Sequence, residues 1–191
     1  MGVTSESVKT INRHIDGRDI KKVCDLGSQN DYRDEIVRTA PEKYPYFSEW
    51  WKEKGCDYIC IDLCGENNSK KWDLSEPLPT DERFDIVCDF GTSEHVANLY
   101  QCFKNVDELC KIDGIMIHEN PKTGSWPLHG HHFFTFQFYM ELAQKQNYNI
   151  LELGERAAMG NITDGWNVYC VLQKTREGFM ERSEFPKTEK A

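Results

Sequence analysis

Short apolar runs alternate with amphipathic segments along most of the chain. The apolar runs lie at residues 23–26, 58–63, 84–90 and 115–119, and a Gly or Asn follows each of them within two positions. A brief apolar run that ends at such a turn is typical of a buried parallel strand. Two later runs, at residues 149–153 and 167–173, predict two more strands.

Helical spacing of apolar residues marks the segments between these strands. Helices are predicted within residues 4–20, where Val8, Ile11 and Ile15 share a face, and at residues 46–54, 99–111 and 136–146. An aromatic segment overlaps the second of them and is expected in the core, with a lid over a ligand as the alternative; it consists of Tyr44, Tyr46, Phe47, Trp50 and Trp51.

Alternating strands and helices predict an α/β fold with a mostly parallel sheet, and the final pair of strands adds an antiparallel strand at its end. The expected organisation is a helical lead-in at residues 1–20 and one folded domain at residues 21–175. Residues 176–191 are rich in charge, which predicts a disordered tail.

Composition narrows the classes of function. The 191 residues carry a formal net charge of -9, which disfavours nucleic acid as a partner because phosphate binding depends on clustered Lys and Arg. No apolar run approaches the roughly 18 residues that span a bilayer, and the N-terminus lacks the apolar core of a signal peptide. We therefore expect a cytoplasmic protein with no membrane partner. Nothing in the sequence predicts the oligomeric state.

The eight cysteines are expected to be reduced thiols. Four of them, Cys24, Cys60, Cys88 and Cys170, fall inside apolar strand patterns, and there is no export signal to favour disulfides. Three cysteines recur at every fourth residue: Cys56, Cys60 and Cys64. Zinc binding by them is disfavoured, because no CxxC pair accompanies them and Cys60 lies in the middle of a predicted strand.

Two acids, Asp25 and Asp62, lie near the ends of the first two predicted strands. In an open α/β sheet the ligand crevice lies outside the carboxyl ends of the strands, so both acids are candidates for ligand binding. Further motifs follow in order: DLGS at residues 25–28, WDL at 72–74, FDIVCDFGTSEHV at 84–96 and ELCKIDGIMIHENP at 108–121. This ordered set, over residues 21–174, resembles the class I S-adenosylmethionine (SAM)-dependent methyltransferases.

The resemblance implies a three-layer Rossmann-like sandwich, with a mostly parallel seven-stranded sheet and an antiparallel last strand. It also implies SAM as the cofactor. One departure is the glycine loop, where Gly27 remains but Gln29 and Asp31 replace the later glycines. A dinucleotide pyrophosphate needs bare backbone at that loop, whereas SAM has no phosphate, so the loop remains compatible with SAM.

The resemblance also implies roles for individual residues. Asp62 is expected to bind both ribose hydroxyls, Leu63 to flank the adenine, and Asp73 to accept a hydrogen bond from the adenine amino group, with Leu74 beside it. The methionine portion is assigned to Asp25, Gly27, Ser28 and Gln29, and the region of the sulfonium and ammonium groups to Phe90, Gly91 and His95. A purely structural role as a cap or turn residue is the alternative for Asp25, Asp73 and His95.

The loop at residues 120–135 carries the candidates for catalysis. His129, His131 and the preceding Glu119 are candidate general bases or substrate contacts, with His132 nearby. The aromatic residues Trp126, Phe133 and Phe134 would form an acceptor wall. Ordinary packing of the loop is the first alternative. A metal held by the histidines is the second, but the spacing supplies no carboxylate partner, so no metal is expected.

The function expected from these patterns is transfer of a methyl group from SAM to a small-molecule acceptor, such as a sugar or another hydroxylated metabolite. A non-catalytic SAM-binding or regulatory protein is the first alternative, because the glycine loop is depleted. A nicotinamide-dependent oxidoreductase is disfavoured, since the GxGxxG loop is absent from the sequence.

Overall fold

A computed structural model describes residues 2–33, 45–157 and 165–190, with side chains up to residue 188. The strands are β1 (Gly2–Val3), β2 (Lys22–Leu26), β3 (Asn30–Asp31), β4 (Asp57–Ile61), β5 (Phe84–Phe90), β6 (Cys110–Pro121), β7 (His132–Phe133), β8 (Asn149–Ala157), β9 (Trp166–Gln173) and β10 (Glu189–Lys190). The α-helices are α1 (Ser5–Ile15), α2 (Ser48–Glu53), α3 (Leu99–Leu109) and α4 (Phe136–Gln146), and short 3-10 helices span Glu66–Asn68, Ser93–His95 and Arg182–Glu184.

The central sheet has six strands in the order β4-β2-β5-β6-β9-β8. The first four are parallel, and β9 runs antiparallel to both β6 and β8. This confirms the mostly parallel sheet with a reversed last strand. The expected seventh strand is reduced to one parallel bridge between Ile61 and Lys70, because the chain soon turns at Asp73, whose Oδ1 accepts a hydrogen bond from the Ser75 N–H.

Helices cover both faces of the sheet, which gives the expected three layers. On one face α3 and α4 pack against Leu26, Val87 and Met116. On the other face α1 and α2 pack against Val23 and Cys88, among others. Successive residues of each strand alternate between the two layers, as the pleat of a strand requires.

Local sequence sets the helix boundaries. Thr4 precedes α1, and its side chain accepts a hydrogen bond from the Ser7 N–H. Thr135 precedes α4, and its side chain accepts a hydrogen bond from the Phe138 N–H. Helix α4 ends at Gln146, and the next residue, Asn147, adopts the left-handed conformation with φ 59°. Asn is among the few residues that tolerate this conformation, so the predicted end at residue 146 agrees with the structure.

The C-terminal segment differs from the expected disordered tail. Met180 is buried, and its carbonyl oxygen accepts a hydrogen bond from the Tyr100 hydroxyl at 2.9 Å. The ring of Phe185 lies 5.7 Å from that of Phe103 and 5.8 Å from that of Phe138. The charged composition masked these few apolar residues, which anchor the segment against the α3 and α4 layer.

Other expectations on the core are met. Phe47, Trp50 and Trp51 are buried against the sheet, which favours core packing over a lid, whereas Tyr44 lies outside the described residues. All eight cysteines are free thiols, and only Cys64 is exposed. Among the described helices, none combines the length and apolar character needed to cross a membrane.

Candidate functional site

A cavity of about 460 Å³ opens at the carboxyl ends of β2, β4 and β5. The chain passes from β2 to β4 on one side and returns to β5 on the other, so β2 and β5 form the point where the strand order reverses. Ligands of open α/β sheets bind at such a point, and the volume lies in the range of small-molecule sites. The lining residues are Gly27, Ser28, Gln29, Ile61, Asp62, Leu63, Trp72, Asp73, Leu74, Ser75, Gly91, Thr92, His95, Val96 and Ala97.

Nine of the eleven cofactor-binding residues expected from the sequence line this cavity. The other two, Asp25 and Phe90, do not. Phe90 belongs to the α1 and α2 layer, and Asp25 is fully buried beside Tyr58, whose hydroxyl donates a hydrogen bond to it at 2.9 Å. Burial raises the pKa of Asp25 to about 7, against the opposing hydrogen bonds from Tyr58 and Cys88.

The turn after β2 is held closed by a polar contact with the end of β5. The Gln29 Nε2 donates to the Leu26 carbonyl oxygen at 2.7 Å and to the Thr92 Oγ1 at 3.2 Å. Gly27 adopts φ +80°, and a Cβ there would lie 2.5 Å from the Thr92 Oγ1. Gln29 therefore takes over part of the role of the missing glycines by bracing the turn.

Gln29, which lines the cavity, also carries an unsatisfied acceptor. Its Oε1 is buried and has no hydrogen-bond partner within the part of the chain that the structure describes. A buried acceptor without a partner costs free energy, which a ligand that donates a hydrogen bond recovers. A ligand ammonium group meets that requirement.

Asp62 lies at the end of β4 with both carboxylate oxygens oriented by the backbone. Its Oδ2 accepts from the Ser28 N–H at 2.8 Å, and its Oδ1 accepts from the Cys64 N–H at 3.0 Å. Partial burial acts to raise the pKa of Asp62, but these two backbone donors outweigh it and the net pKa is lowered. An ionised carboxylate has about four acceptor sites, so both oxygens keep capacity for a pair of ligand hydroxyls.

The far side of the cavity combines an exposed apolar residue with a second acid. Leu63 is 67% exposed, an unusual position for a large aliphatic side chain, and Asp73 is exposed opposite buried Leu74. Trp72 also lines the cavity, although the sequence analysis assigned it no role. These residues offer apolar contact and a carboxylate acceptor to a flat heterocycle.

The charges at the cavity favour a cationic ligand over a phosphorylated one. Asp62 and Asp73 line it, and none of the described lining residues is Lys or Arg. No α-helix begins in the described segment directly after β2, where β3 follows instead. A pyrophosphate is therefore disfavoured, because it relies on a helix N-terminus or on basic side chains.

A second hollow, of about 960 Å³, lies at the opposite edge of the sheet, between the end of α1 and α2. Its walls include Ile15, Ile20 and Trp51, and none of the site residues expected from the sequence lies there. We assign the candidate site to the smaller cavity because only that cavity lies at the strand-order reversal.

The three catalytic candidates are not brought together. Glu119 points into the α1 layer, where it accepts hydrogen bonds from the Ser7 hydroxyl at 2.9 Å and from the Asn167 Nδ2 at 3.3 Å. Strand alternation explains this, because His118 and Glu119 must face opposite sides of the sheet. The structure thus contradicts the expectation that Glu119 joins the histidine loop.

The two histidine candidates also differ from each other. His131 is exposed, and its backbone N–H donates to the Glu94 carbonyl oxygen at 2.8 Å. His129 lies closer to the cavity, with its ring centroid 4.9 Å from that of His95, a lining residue. Burial and the neighbouring His129 both lower the pKa of His95. His129 is therefore the candidate that the structure places beside the cavity.

A buried polar network next to the cavity was missed by sequence reasoning. Asp89 accepts from the Ser93 hydroxyl at 2.6 Å, from the His118 Nδ1 at 3.0 Å and from the Asn120 Nδ2 at 3.2 Å. Burial acts to raise the pKa of Asp89, yet the hydrogen bonds from His118 and Ser93 and the charge of His118 lower it overall. Asn120 also donates to the Glu94 Oε2 at 3.1 Å. The signal lay in the motifs at residues 84–96 and 108–121, which carry these polar residues at strand ends.

Comparison with known proteins identifies the fold. No protein-family model matches the chain, and no curated protein matches it either. The structure of 1,6-didemethyltoxoflavin-N1-methyltransferase from Burkholderia thailandensis, with bound 1,6-didemethyltoxoflavin and S-adenosylhomocysteine, is similar with a TM-score of 0.64 and 15% identity, over 90% of this chain and 78% of that chain.

Two further solved structures are similar at comparable levels. The N-methyltransferase NodS from Bradyrhizobium japonicum WM9, in complex with S-adenosyl-L-homocysteine, gives a TM-score of 0.58 and 10% identity, over 88% of this chain and 85% of that chain. A SAM-dependent methyltransferase from Archaeoglobus fulgidus gives a TM-score of 0.53 and 18% identity, over 88% of this chain and 94% of that chain. The chain therefore has the Rossmann-like fold of the SAM-dependent methyltransferases.

Proposed function

We propose that this protein is a SAM-dependent methyltransferase that acts on a small-molecule acceptor. The observation that carries the proposal is the cavity at the strand-order reversal, where Asp62, Gln29 and Gly27 converge with six other residues that the sequence assigned to SAM. The solved structures of similar fold support the same cofactor, since two of them were solved with S-adenosylhomocysteine.

In the proposed complex each part of the cofactor has a chemically matched partner. Asp62 binds the ribose hydroxyls with its remaining acceptor capacity, and Leu63, Asp73 and Leu74 contact the adenine. The Gln29 Oε1 accepts a hydrogen bond from the methionyl ammonium group, alongside Gly27 and Ser28. SAM supplies a methyl group that its sulfonium charge activates toward a nucleophile.

The protein's contribution to the reaction is alignment and exclusion of water. Holding the acceptor in line with the methyl group and keeping water out can supply several kcal/mol without a covalent intermediate. We place the acceptor on the His95 side of the cavity, where His129 is the adjacent side chain. In this proposal His129 contacts the acceptor or takes its proton, whereas Glu119 and His131 have no such role.

A hydroxylated small molecule, for example a sugar, is the acceptor that we propose. A neutral imidazole suits removal of a proton from a hydroxyl or an ammonium group. The methyltransferase from Burkholderia thailandensis was solved with 1,6-didemethyltoxoflavin, a small-molecule ligand, and this supports the size class.

Two measurements test the proposal. Calorimetric titration with SAM, S-adenosylhomocysteine and NAD⁺ should show binding of the first two and none of NAD⁺. Release of S-adenosylhomocysteine is then measured against a panel of hydroxylated and amine acceptors. Binding of NAD⁺ without SAM would indicate an oxidoreductase, and SAM binding without turnover across the panel would favour the non-catalytic alternative.

A further inference from the structure

Three side chains, of which His95 lines the cavity, direct their ligating atoms toward one another. The Glu94 Oε1 lies 3.6 Å from the His95 Nε2 and 3.7 Å from the His129 Nε2, and all three atoms lie within 4.8 Å of one another. Glu94 and His95 belong to the 3-10 helix after β5, whereas His129 comes from the loop after β6. The fold therefore supplies the carboxylate that the spacing within the histidine loop lacks.

Two of the three ligating atoms of this cluster are buried and unsatisfied. Glu94 is fully buried, yet its Oε1 has no hydrogen-bond partner among the described residues, and neither does the buried Nε2 of His129. Distances of 3.6 and 3.7 Å exceed the range of a hydrogen bond. A buried carboxylate oxygen and a buried imidazole nitrogen that both lack a partner point to a missing group between them.

The surroundings hold the cluster in place. The Asn120 Nδ2 donates to the other carboxylate oxygen of Glu94 at 3.1 Å, which leaves Oε1 directed at the histidines. The His131 N–H binds the Glu94 carbonyl oxygen, and a Cβ at Gly130 would lie only 2.9 Å from that same oxygen. The loop thus passes close enough to Glu94 to place His129 there. Outer contacts of this kind orient the ligands of metal sites.

The donor atoms of the cluster favour one class of ion, and the distances between them can be compared with its geometry. Two ligand atoms bound to zinc at about 2.0–2.1 Å in tetrahedral geometry lie roughly 3.3 Å apart. The observed 3.6 and 3.7 Å need to shorten by a few tenths of an ångström, and the separation of the two histidine nitrogens, which is within 4.8 Å, needs to shorten by up to about 1.5 Å. One carboxylate and two imidazoles are also a donor set that zinc uses in catalytic sites, with the fourth position open. Ca²⁺ and Mg²⁺ prefer all-oxygen ligands.

We propose that Glu94, His95 and His129 form a binding site for a divalent cation of the Zn²⁺ type at the wall of the cavity. Because His95 also lines the cavity, the ion stands next to the space assigned to the acceptor. With the ion in place the His129 Nε2 is a ligand and takes no proton, so the contact with the acceptor passes to the open position of the ion, which is available to an oxygen or nitrogen of a bound ligand. This last role rests on the proposed methyltransferase function, whereas metal binding itself does not.

Direct titration of the untagged protein, residues 1–191, with Zn²⁺ tests the site. After removal of metal by a chelator, the protein is titrated against a chromophoric zinc indicator, without SAM. We expect one equivalent to bind. Glu94→Gln and His95→Gln should each weaken binding by at least about 100-fold, since even outer-shell changes cost 10–100-fold at metal sites. His131→Ala is the matched control and should change binding by no more than about twofold, because its side chain lies outside the cluster.

Several outcomes would overturn the site. They are the absence of stoichiometric binding by the unaltered protein, unchanged affinity in both Gln variants, and loss of binding in Cys64→Ser, which would assign the metal to the exposed thiol. Circular dichroism of each variant checks folding, and His95→Gln keeps the test valid if Glu94→Gln unfolds, since His95 is half-exposed. A protein that binds Zn²⁺ but not SAM would contradict the proposed function and leave this site standing.

Discussion

The Thr92 hydroxyl donates a hydrogen bond to the Leu26 carbonyl oxygen at 2.8 Å. This contact joins the ends of β2 and β5, the two strands between which the order of the sheet reverses. Gln29 donates to the same carbonyl. The floor of the candidate cofactor cavity is therefore fixed by side chains that come from both strands.

Gly27→Ala should disrupt this floor. Its φ of +80° alone costs an L-residue about 1–2 kcal/mol, and the added Cβ would also lie 2.5 Å from the Thr92 Oγ1. Gly17→Ala is the matched control, because Gly17 has φ +75° with nothing within 4 Å of the added Cβ. In urea unfolding we expect Gly27→Ala to lose clearly more stability than Gly17→Ala, with weaker SAM binding. Equal losses would show that the contact with Thr92 has no cost.

Asp25 predicts a specific pH dependence of stability. Burial raises its pKa to about 7 in the folded protein, from the ordinary value of 3.8. Between these values the unfolded chain releases the proton while the folded protein keeps it, so the free energy of unfolding falls as pH rises. Above pH 7 both states are ionised and this contribution no longer changes.

Asp25→Asn lacks this contribution and keeps the side-chain volume. Between roughly pH 4 and pH 7 the stability of the wild type should decline relative to the variant by about 3 kcal/mol, at about 1.4 kcal/mol per pKa unit. Chemical denaturation of both proteins over this range measures the difference. Parallel curves would mean that Asp25 titrates normally in the folded state.

Phe185→Ala should reveal that the C-terminal segment stabilises the core. The Phe185 ring contacts Phe103 and Phe138 but is partly exposed, so we expect a loss of about 1–3 kcal/mol, below the range for fully buried rings. Lys187→Ala, at an exposed position in the same segment, should leave the free energy of unfolding within about 0.5 kcal/mol. An unchanged free energy of unfolding in Phe185→Ala would mean that the C-terminal segment does not stabilise the core.

The sequence predicted the elements whose signal is local. The strand at residues 84–90 and the helix at residues 136–146 agree with β5 and α4 to the residue, because apolar runs, turn residues and the Thr135 cap all act over a few positions. The position of Asp62 at a strand end was equally visible. The ordered motifs then supplied the cofactor class through resemblance, and most of the assigned residues share one cavity.

The failures involve relationships that only the tertiary fold creates. The side of the sheet that Glu119 faces depends on the register of β6, which its own sequence does not fix. Glu94 lies 35 positions before His129, so no spacing rule connects them, and the fold alone brings them within 3.7 Å. Phe185 packs against Phe103 of α3 and Phe138 of α4. The composition of the C-terminal segment alone does not reveal these partners.

The central claim is that Asp62 binds the ribose of SAM at the end of β4, and calorimetric titration of Asp62→Ala with S-adenosylhomocysteine tests it most directly. Losing charge-assisted hydrogen bonds, each worth about 1.5–3 kcal/mol, should weaken binding at least about tenfold. Asp57→Ala removes an exposed carboxylate from the other end of the same strand and should bind like the wild type. Undiminished affinity in a folded Asp62→Ala protein, or no binding by the wild type, would contradict the account.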